Sequence, residues 1–169
     1  MKHFNPINLT RVMALFAAIF LVTVFTTCKR AAEKTSEKLI EKSIGDGAKV
    51  DIDDEKVVIQ TDEGTFTTDA TMHSWPKEVP EDVPEFDEGK VAGVTTQEMN
   101  DTKNWVIIFE DVSEDALEKY KEALKGNGFK INYTTMAGTG GHLAAEKDQL
   151  KVMVMAGEGN ASITISSPE

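Results

Sequence analysis

The single cysteine of this sequence, Cys28, stands where a hydrophobic stretch gives way to lysines, an arginine and glutamates, "VTVFTTCKRAAEK". One thiol allows no internal disulfide, so its position is more informative than its count. The second sulfur feature is "VMVM" at 152–155. On a strand, Met153 and Met155 project from one face about 6.6 Å apart at the backbone, and soft thioethers suit Cu(I). Met136 offers a third sulfur and His142 an imidazole. The plainer reading is that these methionines fill gaps in a sheet core.

The other candidates are weaker. His142 and Glu146 are four apart, which on a helix would place both on one metal, but the segment reads as a strand, where four residues span about 13 Å. "DIDDEKVVIQTDEG" has Lys56 where a calcium loop needs glycine, and its acids read as turn residues. "GTGGH" (138–142) lacks the lysine and hydroxyl of a phosphate loop and reads as a flexible turn. The sequence contains no hydrolase elbow, zinc-protease helix or paired-cysteine motif. The expectation is a protein that is not an enzyme, with no catalytic residues, no cofactor and no metal beyond the weak candidates Met153, Met155 and His142.

The chain has 18 lysines and arginines against 29 acids, a net charge of −11. Removing residues 1–27, which hold Lys2 and Arg11 and no acid, deepens that to −13. Such a charge repels phosphate backbones and anionic lipid surfaces, which argues against nucleic acid and polybasic membrane docking.

Residues 1–11 form a short basic start, and 12–25, "VMALFAAIFLVTVF", a hydrophobic run of 14 residues. This is a signal-peptide pattern; as a helix it spans about 21 Å, short of the ~30 Å bilayer core. "FTTC" at 25–28 then resembles the cleavage box of bacterial lipoproteins, which ends in cysteine, although the common box has leucine where this chain has Phe25 and glycine or alanine where it has Thr27. The resemblance implies cleavage before Cys28 and diacylglyceryl attachment to its sulfur. Each buried methylene adds about 0.8 kcal/mol, so two or three acyl chains make a durable anchor. Lys29 is not the acid that retains such proteins at the inner membrane in the enterobacterial family, so the resemblance favours the outer membrane. An uncleaved hydrophobic anchor with an incidental cysteine, or plain secretion, remain the alternatives.

Residues 31–44 place Leu39, Ile40 and Ile44 on one side of a short helix, with Gly45 and Gly47 to end it. Three strands follow at 49–53, 56–61 and 65–68. Pro76, Pro80 and Pro84 then mark an acidic, extended segment along which Val79, Val83 and Phe86 recur. "NWVIIFE" (104–110) reads as a strand buried on both faces or nearly so. Ser113 is the expected cap of a helix from Glu114 to Lys125 with a stripe of Leu117, Tyr120 and Leu124. Alternation at Phe129–Tyr133 and runs at 142–146, 149–155 and 161–166 predict four more strands.

Trp105 reads as core, and Trp75 as a plug fastening the proline segment. The proline lead-in, the "KYKEAL" helix and the strand order β-β-α-β-β-β resemble a domain of uncharacterised bacterial envelope lipoproteins over residues 76–166. The expected fold class is α+β: a small antiparallel sheet with one helix across a face, preceded by a short helix and a three-stranded meander. The corresponding division is 1–27 signal peptide, 28–69 anchored helix and meander, 70–89 proline-rich acidic linker and 90–169 α+β domain. The function these features imply is that of a lipid-anchored envelope lipoprotein, a binding or structural module with an envelope protein or polymer as partner. The alternative is periplasmic copper handling through Met153 and Met155.

Overall fold

The computed structural model describes residues 31–44, 47–53, 55–138 and 140–168. The predicted leader and Cys28 lie outside them. Helix α1 (Ala31–Ile44) is followed by strands β1 (Lys49–Asp53), β2 (Lys56–Thr61), β3 (Gly64–Asp69), β4 (Lys90–Met99) and β5 (Thr102–Glu110). Helix α2 (Ala116–Gly126) then leads to β6 (Lys130–Ala137), β7 (Gly140–Lys147), β8 (Leu150–Gly157) and β9 (Asn160–Pro168). Among the described residues no helix is long and apolar enough to cross a membrane.

The strands form one antiparallel sheet in the order β1-β2-β3-β4-β5-β9-β8-β7-β6. This corrects the α+β expectation: β3 pairs with β4 from Gly64↔Met99 to Asp69↔Val94, so the early meander is continuous with the later strands in a nine-stranded, β-rich fold. Short loops carry the meander. Asn100 and Asp101 (φ 45° and 61°) join β4 to β5, and Glu158 and Gly159 (φ 53° and 78°) join β8 to β9. Two consecutive positive φ values are what a two-residue type I′ hairpin needs to match the strand twist.

At one edge of the sheet, α1 lies along β1. Glu41 Oε1 accepts from Val50 N at 3.1 Å and Glu37 Oε1 from Ile52 N at 3.3 Å. Unpaired edge N–H groups, which would otherwise invite another strand, are thereby taken up by the helix's own carboxylates.

One face of the sheet is sealed. Val91, Val94, Trp105, Ile107, Phe109, Leu143, Ala145, Val152, Val154, Ile163 and Ile165 lie buried there beneath Leu117, Tyr120 and Leu124 of α2 and Val79, Val83 and Phe86 of the proline segment. The segment is not extended as expected. Val79 N bonds Pro76 O at 3.2 Å and Val83 N bonds Pro80 O at 2.9 Å, so two successive turns bring the valines onto the sheet. Phe86 meets Phe109 and Tyr120 edge to face, with centroids 4.7 and 5.2 Å apart. Trp75, half-buried, lies 6.4 Å from Phe109 and closes this cluster as the predicted plug.

The segment's acids meet lysines from three elements: Glu78 with Lys103 of β5, Asp82 with Lys147 of β7, and Glu88 with Lys119 of α2, at 3.2, 2.5 and 2.9 Å. Exposed pairs of this kind contribute about 0–1 kcal/mol each, so they orient the segment more than they hold it. The helix begins later than expected, with Asp115 at the cap position and no side-chain capping bond. Ser113 Oγ donates instead to Glu88 and Asp115, both at 2.9 Å.

Tyr120 Oη donates to Pro84 O at 2.9 Å, tying α2 to the proline segment. Burial pushes its phenol well above the ordinary value of 10.0. Above that pH the unfolded chain releases this proton while the fold retains it, so the stability attached to Tyr120 is present below pH 10 and is lost as pH rises. Tyr120→Phe is expected to lower stability by about 1 kcal/mol at neutral pH and to make its decline above pH 10 shallower. Urea midpoints of both proteins at about pH 8 and about pH 11 check this; equal pH slopes would refute it.

Candidate functional site

Among the described residues, none forms a second layer on the opposite face of the central strands. Register alone determines which side chains share it. One row across β5, β9, β8, β7 and β6 is Ile108, Ser162, Met155, His142 and Thr135; the next is Val106, Thr164, Met153, Ala144 and Tyr133. A third row, Asn104, Ser166, Lys151, Glu146 and Lys130, carries the charges. Ile108, Met153, Met155 and Tyr133 are 43%, 54%, 51% and 57% exposed in the first two, uncharged rows, with Ser162 between Ile108 and Met155 and Ala144 between Met153 and Tyr133.

Met153 and Met155 are therefore not core gap-fillers: Val152 and Val154 point into the core, and the methionines between them point out. Nor is β5 buried on both faces, since Ile108 is open. His142 is exposed and stands directly opposite Met155. Met136 pairs with Gly141, one position out of phase with His142, which places it on the helix side of the sheet, away from the other two sulfurs. Glu146 lies in the charged row; a hydrogen bond from the Asn132 side chain, with help from Lys130 and Lys151, holds its carboxyl below the usual range. The face thus brings together Met153, Met155 and His142 and leaves Met136 and Glu146 apart from them.

"GTGGH" is only partly a turn. Gly140, Gly141 and His142 belong to β7, and a Cβ on Gly141 would lie 2.0 Å from Thr135 O. Of the acids at 51–64, Glu55, Asp62 and Glu63 lie in the turns on either side of β2, whereas Asp51 and Asp53 lie on strand β1 and are not turn residues.

Two hollows lie elsewhere. One of about 280 Å³ sits between the start of α2 (Ser113, Glu114, Leu117) and the β8–β9 turn (Gly157–Asn160). Another of about 350 Å³ is bordered by Thr102, Asp148, Gln149 and the end of β9. The first is lined by Ser113 and Glu114, with the Ser113 hydroxyl bonded to Glu88 and Asp115, and the second by Asp148 and Ser166. No three His, Cys, Asp or Glu side chains come within reach of one metal ion among the described residues.

The exposed face was only half legible in the sequence: the two-residue period put both methionines on one face, and the pairing with His142 needed the β7–β8 register. Set against protein-family models, curated proteins and solved structures, the chain matches none.

Proposed function

We propose that this chain is a non-enzymatic binding module, held at a membrane of the cell envelope by lipid on Cys28, and that its open sheet face is where an envelope protein docks. The observation that carries the proposal is the inequality of the two faces. One is sealed by α2 and the proline segment, while the other leaves Ile108, Met153, Met155 and Tyr133 about half exposed in adjoining rows. Large exposed apolar side chains gathered on one face are a cost to a free protein that a partner's surface removes. The many acids elsewhere keep the free chain soluble.

The anchor fits this display. Cys28 precedes α1 by three residues, and α1 lies on β1, the edge of the sheet farthest from β6. With strands about 4.8 Å apart, the exposed face extends up to ~38 Å from that edge. A module tethered near β1 presents its binding face beyond the headgroups.

The test uses protein extracted from its native membrane. Its mass is expected to correspond to a chain starting at Cys28 with acyl chains attached, and Cys28→Ser is expected to abolish acylation and leave a product that retains residues 1–27. Chemical cross-linking before extraction is expected to join it to a protein partner, and Ile108→Glu with Tyr133→Glu to lose that product. A native product retaining Met1, or a bare thiol at position 28, would remove the anchor; cross-links unaffected by the two glutamates, or joining only to glycan, would remove the docking face.

A further inference from the structure

We propose that His142, Met153 and Met155 form a binding site for a soft monovalent cation, Cu(I) or its close analogue Ag(I). The inference rests on reading the open face as the binding surface, and it does not depend on the anchor. His142 and Met155 are direct cross-strand partners in register, so their Cβ atoms are about 4.5–5.5 Å apart. Met153 lies two residues along β8 from Met155, about 6.6 Å at the backbone, and diagonal to His142. Methionine has three rotatable side-chain bonds, which lets two sulfurs lean toward a common point beside the imidazole.

The neighbours leave room for this. Beside Met153 stand Ala144 and Thr164, and beside Met155 stands Ser162, none of them large enough to wedge the thioethers apart. The two methionines are about half exposed, so a cation can reach them from solvent without opening the fold.

The donor set selects the ion. Two neutral thioethers and one imidazole are soft to borderline ligands, favoured by Cu(I) and poor for Mg²⁺ or Ca²⁺, which want several oxygens. The only carboxylate of the three rows, Glu146, is committed to Asn132 and to the flanking lysines. Binding moves no electron: the cation enters and leaves as a monovalent ion, and the imidazole contributes the lone pair of an unprotonated nitrogen.

The experiment uses full-length protein in detergent, carrying Cys28→Ser so that no thiol competes, with its methionine methyls isotopically labelled. Ag(I), and then Cu(I) under anaerobic reducing conditions, are titrated in. The methyl signals of Met153 and Met155 and the ring signals of His142 are expected to shift together and saturate at one equivalent. Met72, Met99 and Met136, also exposed, serve as internal references and are expected to stay in place. Met153→Leu or Met155→Leu keeps the apolar bulk and removes the sulfur, and each is expected to weaken binding at least about tenfold.

Equal shifts at Met72, Met99, Met136, Met153 and Met155, or an unchanged Kd in the double leucine variant, would overturn the assignment. Silver that leaves both methyls unmoved, in a protein whose cross-link is still lost with Ile108→Glu, would overturn the metal site and leave the docking face standing.

Discussion

Phe109→Ala is expected to destabilise the fold by about 3–5 kcal/mol, the range for removing a fully buried phenylalanine. Phe109 is 0% exposed and carries two aromatic neighbours from outside the sheet, Phe86 at 4.7 Å and Trp75 at 6.4 Å. Its loss therefore opens a cavity where the proline segment is seated, and the ion pairs of Glu78, Asp82 and Glu88 are too exposed to compensate. Against a typical total of about 5–15 kcal/mol this is a large share. A lowered urea midpoint measures the loss, and faster proteolysis between residues 77 and 88 locates it. A loss below about 1 kcal/mol would mean that Phe109 does not hold the segment down.

Gly141→Ala is the second large effect, expected to cost about 3 kcal/mol or more. The added Cβ would lie 2.0 Å from Thr135 O and 3.1 Å from Leu117 Cδ2, against a backbone that can yield only by breaking the β6–β7 pairing. Next to it, a Cβ on Gly140 would meet Ala156 O of β8 at 2.3 Å, so these consecutive glycines admit close approach on both sides of β7. Gly126→Ala is the control: nothing lies within 4 Å of its added Cβ, and in the last position of α2 alanine is expected to be neutral or stabilising by up to about 1 kcal/mol. Thermal unfolding of the two variants side by side checks the contrast. Equal midpoints would show that β6 can move away from β7.

Individual elements were largely legible because their signals are local. The 3.6-residue stripe of Leu117, Tyr120 and Leu124 identified α2, and the apolar run at 149–155 identified β8. Trp105, in an alternating run, is core at 2% exposure. The start of α2 was misplaced because Ser113 found competing partners in Glu88 and Asp115, 25 residues away in one case. The glycines at 140 and 141 were misread because a close approach between strands leaves the same residue type as a flexible turn.

From its residues alone this chain declared the hydrophobic stretch at 12–25, the placement of Cys28 beside it, the acidic balance and most of its helices and strands, all of which depend on neighbours along the chain. Tertiary structure alone decided that nine strands join in one sheet, that β3 meets β4 across twenty intervening residues, and that one face stays open. The reason is that a strand apolar on both sides, such as β5 or β8, carries no mark of which side gains a second layer. That depends on where α2 and the proline segment come to rest, and their resting place puts Met153, Met155 and His142 in solvent.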